Sequence, residues 1–193
     1  MSWSPASGRD EIETALRRLG SQPDEAVDVA EAALLMAALD RPRVPLERYR
    51  HHLSLLTRDT ADLAQGAGEA TLDGRIAALN AVIRERYGYS GDALTYDDPQ
   101  NANLMRVIDR RKGLPVALGI LYLHAARAQG WPAEGLNFPG HFLLRLGCGS
   151  ARDRRSLPRR RHAHAAGPAR AAAQPRRGRG RTAPGAHRGG LQP

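Results

Sequence analysis

The chain has 193 residues, enough for one domain with a substantial hydrophobic core. Its net charge of +9 arises at the C-terminal end, because residues 148–193 contain 12 arginines and one acid, whereas residues 1–147 contain 17 basic and 19 acidic residues. With no secretory leader, no apolar run near 18 residues and a single cysteine, the sequence excludes an internal disulfide and leads us to expect a cytoplasmic protein without a membrane partner.

The first half of the chain reads as a helical layer. Residues 1–9 are small and polar and are expected to be loose, and residues 10–88 show apolar positions at helical spacing, interrupted by Gly and Pro. The predicted helices cover 10–19, 23 to about 39, 45–56 and 71–88, the last capped by Thr71 and ended by Gly88.

The second half, residues 99–147, combines helix and strand. A helix that is apolar nearly all round is predicted from Pro115, a favoured first helical residue, to Gly130. Two strands follow, Ala133–Phe138 and His141–Leu146, separated by the turn signal Pro139-Gly140. The predicted fold class is therefore α+β: a helical layer followed by a central helix and a short antiparallel sheet.

Two motifs in this half resemble a known family. They are N-x-x-L-x-x-V-x-x-R-R-x-G-x-P, from Asn101 to Pro115, and F-P-G-H-F, residues 138–142. Together they resemble the transglutaminase-like superfamily, which has a papain-like α+β fold, over roughly residues 10–147. More closely, they resemble bacterial proteins labelled invasion-gene regulators, whose C-terminal part often carries tetratricopeptide-type helices. The resemblance implies a Cys at the start of the central helix, a His on the next strand and an Asp on the strand after it.

The chain departs from this catalytic pattern. Pro115 stands about where the nucleophile would be, the next two helical turns contain no Ser, Thr or Cys, and the triad Asp is missing. His141 keeps the position of the general base, although a His at a strand end also commonly holds a turn by hydrogen bonding. We therefore expect a non-catalytic domain acting as a regulatory or protein-interaction module. The alternative is an amide-directed hydrolase or transferase with a non-thiol mechanism centred on His141.

Four other residues are candidates for ligand binding or interaction. Arg110 and Arg111 precede the central helix and could recognise a carboxylate or phosphate, Tyr122 lies on that helix, and Asn101 begins the motif. Each also has a structural interpretation, as an ion pair, a loop support or a satisfied core polar group. No cofactor fingerprint occurs, and the histidine pairs lack companion ligands, so neither a cofactor nor a metal is expected.

The segment 148–193 has a different composition, rich in Arg, Ala, Gly and Pro and without aromatic residues. Such a segment predicts disorder. We interpret it as a frameshift product, because codon degeneracy at residues 152–160 allows another reading frame that encodes the Asp-Pro-Phe motif of the resembled family. The missing Asp strand would leave His141–Leu146 as an unpaired sheet edge. If the segment is genuine, its arginines favour nucleic-acid binding.

Overall fold

A computed structural model describes residues 5–66, 71–138, 141–147 and 161–164. Its secondary structure is helical up to residue 86 and mixed beyond it. The α-helices are α1 (Pro5–Gly20), α2 (Val29–Leu39), α3 (Glu47–Gly66), α4 (Leu72–Asn80), α5 (Leu104–Arg110) and α6 (Pro115–Ala128). The strands are β1 (Ser90–Gly91), β2 (Lys112–Gly113), β3 (Ala133–Phe138), β4 (His141–Leu146) and β5 (Arg161–His164).

Two helices of the N-terminal layer, α2 and α4, begin at side-chain caps. Asp28 caps α2 by accepting hydrogen bonds from the backbone N–H groups of Ala30 and Glu31, and Thr71 caps α4 in the same way. The predicted start of the second helix at Pro23 is therefore wrong. Residues Asp24–Ala26 form a separate 3₁₀ turn, and α2 begins only at Val29, after its cap Asp28.

The fourth helix changes its winding along its length. From Ala81 to Arg86 it continues as a π-helix, and Gly88 follows with φ of 71°, a left-handed conformation that glycine adopts without strain. The predicted end of the helix near Gly88 is confirmed within two residues. Its buried face joins the core through Val82 and Ile83.

Helix α6 lies at the centre of the molecule, and its predicted start at Pro115 is confirmed. It packs on α2, α3, α4 and α5 and on strands β3 and β4. The sheet approaches it closely at Gly119, where an added Cβ would overlap the ring of Phe142. Together with the helical layer this confirms the predicted α+β class. Within the described ranges, no helix is both long and apolar enough to cross a membrane.

Both predicted strands of the main sheet are confirmed with their bounds. They pair antiparallel, with Ala133 opposite Leu146 and Phe138 opposite His141, while the turn at 139–140 lies outside the described residues. The expectation of an unpaired edge is wrong, because β5 pairs with β4 on its other side. The expected disorder is likewise wrong at Arg161–His164, and the rest of segment 148–193 lies outside the described residues.

Candidate functional site at the start of the central helix

The start of α6 is built on a close contact between two backbones. The N–H of Leu114, the residue before the helix, donates to the carbonyl oxygen of Asn101 (2.9 Å). Gly113 makes this approach possible, since an added Cβ there would overlap the side chain of Val107 and lie 3.2 Å from that same carbonyl oxygen. The glycine of the sequence motif is thus required by packing.

The corner at which the chain passes from α5 to α6, residues 110–115, lies next to Asn101. Asn101 is fully buried there. Its Nδ2 donates to the carbonyl oxygen of Thr95 (2.6 Å), and its Oδ1 accepts from Nη1 of Arg110 (3.2 Å). Arg110 also donates to the carboxylate of Asp92 (3.0 Å). Two predicted site residues, Asn101 and Arg110, are therefore brought together, but their polar atoms bond to other parts of the chain.

Asp92, which the sequence analysis did not identify, is the centre of this network. Its carboxylate accepts hydrogen bonds from the backbone N–H groups of Leu94 (3.1 Å) and Thr95 (3.0 Å) and from the Thr95 hydroxyl (2.6 Å). The hydrogen bonds from Thr95, above all, hold the pKa of this carboxyl far below its usual range. A D-x-x-T spacing is the local sequence signal of such a turn.

Arg111 belongs to a second cluster, on the other side of the corner. It ends α5 with φ of 59°, and its guanidinium lies over the rings of Tyr87 (5.6 Å) and Tyr89 (4.8 Å). The guanidinium donates to Nε2 of His52 (2.7 Å) and to the hydroxyl of Tyr89. Sequence reasoning missed His52, Tyr87 and Tyr89, because only the tertiary fold brings α3 next to this loop.

His52 serves this cluster as a neutral acceptor. Burial, and then the positive charge of Arg111, lower the pKa of His52 to about 4. The unprotonated Nε2 therefore accepts a hydrogen bond at neutral pH, and the Tyr89 hydroxyl lies 2.7 Å from the same nitrogen. Burial also raises the pKa of Tyr89, so its hydroxyl stays protonated. The Arg111 cluster consequently carries one positive charge, on the guanidinium, which lies against the two tyrosine rings.

Tyr122 lies apart from both clusters. Its hydroxyl donates to Oδ1 of Asn80 (2.9 Å), at the point where α4 becomes π-helical. Burial raises the pKa of Tyr122 to about 12. This hydrogen bond ties the central helix to α4, so Tyr122 acts here as a satisfied core polar group.

His141 is exposed at the beginning of β4, and its side chain makes no hydrogen bond to a described residue. Its neighbour Phe142 packs on Gly119 of α6, and successive residues of a strand point to opposite faces of the sheet. His141 therefore lies on the sheet face turned away from α6. Within the same described ranges, no three His, Cys, Asp or Glu side chains cluster as metal ligands would.

Comparison with known proteins identifies a family and several relatives. The model of the transglutaminase-like superfamily matches residues 46–157. The UPF0162 protein of Xylella fastidiosa is 34% identical over 129 residues, which are 66% of this chain and 45% of that relative. Its counterpart in Vibrio cholerae is 35% identical over 122 residues, 63% of this chain and 44% of that protein.

Another relative is eukaryotic and matches a shorter part of the chain. Human F-box only protein 21 is 40% identical over 68 residues, 35% of this chain and 11% of that protein. The chain spans a little under half the length of the bacterial relatives. No solved structure matches it.

Proposed function

Because the chain belongs to the transglutaminase-like superfamily, we propose that it is a member without thiol chemistry that acts as a regulatory, protein-binding domain. Thiol catalysis in this architecture places a thiolate at a helix N-terminus, where the dipole lowers its pKa, with an imidazole beside it. Here Leu114, Pro115 and Val116 form the start of the central helix. None of them carries a nucleophile, and Pro115 has no backbone N–H with which to bind an oxyanion.

The observation that carries the proposal is that the polar side chains at this corner form hydrogen bonds within the protein. Asn101, Arg110 and Asp92 bond to one another and to the backbone, in an arrangement that holds a loop and starts a helix. A catalytic group must instead present its reactive atom to a substrate. His141, on the other sheet face, has no described partner that would orient or activate its imidazole.

Binding is the function that the exposed apolar side chains favour. Val116, in the first turn of α6, is 43% exposed, and Phe138, opposite His141 in the sheet, is 59% exposed. Exposed apolar side chains are common singly, and they are also the groups that proteins bury when they bind one another. A regulatory role through protein contact needs such side chains and does not require a reaction.

The test is an activity screen on the full chain. We expect no amine incorporation into a glutamine-rich protein such as casein and no ester hydrolysis above the enzyme-free blank, with identical results for the wild type, His141→Ala and Cys148→Ser. Turnover lost in His141→Ala alone would establish the non-thiol hydrolase or transferase instead. Turnover abolished by iodoacetamide and by Cys148→Ser would establish thiol chemistry.

A further inference from the structure

The loop between β1 and the 3₁₀ turn at Pro99–Asn101 presents apolar side chains to solvent. Residues 93–97 are all exposed, and among them Leu94 is 90% and Tyr96 50% exposed. Leu94 is the most exposed of the large hydrophobic residues in the described part of the chain. An apolar side chain held almost wholly in water contributes nothing to the core, so its role in the fold does not explain it.

This loop is held in place by hydrogen bonds at both ends. Asp92 bonds the backbone N–H groups of Leu94 and Thr95, Asn101 bonds the carbonyl of Thr95, and Asp98 N–H donates to that same carbonyl (3.1 Å). Leu94 and Tyr96 thus flank a residue whose backbone N–H and C=O are both anchored. These hydrogen bonds fix the backbone conformation in which the two side chains are exposed.

Asp92, the anchor at the beginning of the loop, is both buried and charged. The side chain of Asp92 is 4% exposed, and Arg110 neutralises it from the end of α5. The N–H of Asp92 also donates to the carbonyl oxygen of Gly113 (3.4 Å), which joins the loop to β2, two residues ahead of the central helix. The corner where a catalytic relative would carry its nucleophile here supports an exposed loop.

We infer that loop 93–97 is the surface with which this protein binds its partner, a protein with an apolar pocket rimmed by basic side chains. Leu94 and Tyr96 would enter the pocket, since aromatic and apolar anchors supply most of the energy of such contacts and a loop already fixed loses little entropy on binding. With Asp92 neutralised, Asp97 and Asp98 leave the loop negatively charged, which complements a basic rim and disfavours nucleic acid. This inference rests on the proposed binding function and assigns it to particular residues.

The experiment uses a random dodecapeptide phage library, panned against the immobilised full chain. We expect enriched peptides to combine large apolar residues with Lys or Arg. The affinity of a synthetic copy, measured by fluorescence polarisation, should fall at least about tenfold for Leu94→Ala and for Tyr96→Ala. Raising the salt concentration should also weaken it.

Met36→Ala is the matched control, since Met36 is 56% exposed on α2 and lies away from the loop in sequence. It should bind the peptide as the wild type does. Circular dichroism of the variants should be unchanged, because Leu94 makes little contact with the core. Enriched peptides insensitive to both loop substitutions would overturn the assignment to this loop while leaving a binding function in place. Enrichment no better than on an unrelated protein would also overturn it, and neither result bears on the activity screen.

Discussion

The guanidinium of Arg110 lies 3.0 Å from the carboxylate of Asp92, in an ion pair whose acidic side chain is 4% exposed. The two residues stand at the end of α5 and at the beginning of the exposed loop, so their contact joins the helix to the loop. Because Arg110 also bonds Asn101, one guanidinium holds two buried polar side chains. The arginine of the sequence motif thereby acquires a structural role.

Replacing Arg110 by Met should lower the urea midpoint of unfolding clearly more than the same change at Arg106. Arg110→Met leaves the buried Asp92 carboxylate without its cation, and an unpaired buried charge is strongly destabilising. Arg106 bonds Gln100 at an exposed site, where little is lost. Equal midpoints for the two variants would contradict the structural role given to Arg110.

Asn101→Ala should lower the free energy of unfolding by about 1–3 kcal/mol, because it removes two hydrogen bonds made by a fully buried side chain. Asn101 donates one of them to the carbonyl of Thr95 and accepts the other from Arg110. The measurement is urea denaturation followed by circular dichroism. Gln22→Ala, which removes an exposed amide, is the control and should stay within about 0.5 kcal/mol of the wild type. An equally small effect at Asn101 would show that solvent replaces its partners.

Gly119→Ala should destabilise the protein by about 1–3 kcal/mol, although alanine is the better helix former. Its Cβ would overlap the Phe142 ring, which is itself packed against Gly135 and has little room to move. Combining the change with Phe142→Leu should recover part of the loss, giving a favourable coupling in a double-mutant cycle. Gly20→Ala, where nothing lies within 4 Å of the added atom, serves as the control. Simple additivity of the two changes would contradict the close contact between α6 and β4.

The Arg111 cluster should make stability depend on pH through His52. Its pKa of about 4 in the folded state lies below the unfolded value of about 6.5, so the unfolded chain binds the proton more readily in that window. The free energy of unfolding should therefore fall as the pH is lowered from about 6.5 to 4. Denaturation curves across this range should show a shallower slope for His52→Gln than for the wild type. An unchanged slope in His52→Gln would place the titrating group elsewhere.

The low pKa of Asp92 adds a separate dependence at more acid pH. Its folded pKa is depressed, so its contribution to stability is complete above the ordinary carboxyl pKa and is lost as the pH falls below it. In Thr95→Val, which removes the hydroxyl donor, the acid limb of the stability curve should become shallower. Acid titration followed by circular dichroism measures it, and Thr57→Val, whose hydroxyl bonds only carbonyls of its own helix, is the control. Identical acid limbs would contradict the role of this hydroxyl.

The sequence by itself determined the fold class, the start of the central helix at Pro115 and the two strands of the hairpin, because their signals are local. Proline sets φ at a first helical turn, and runs of apolar residues at period 3.6 or 2 identify helices and strands without knowledge of their neighbours. The amino-acid composition likewise changes after residue 147 and led us to expect disorder there. It did not predict β5, because that strand forms by pairing with the edge of β4.

Only the tertiary structure decided what the motif residues do. Asn101, Arg110 and Arg111 occur close together in the chain, but their partners Asp92, His52 and Tyr89 come from other segments, up to 59 residues away. Hydrogen bonds between distant segments depend on how helices and loops pack, which no local pattern encodes. The same packing placed Phe142 against α6 and His141 on the opposite sheet face, because side chains alternate along a strand and only one face of β4 meets the central helix.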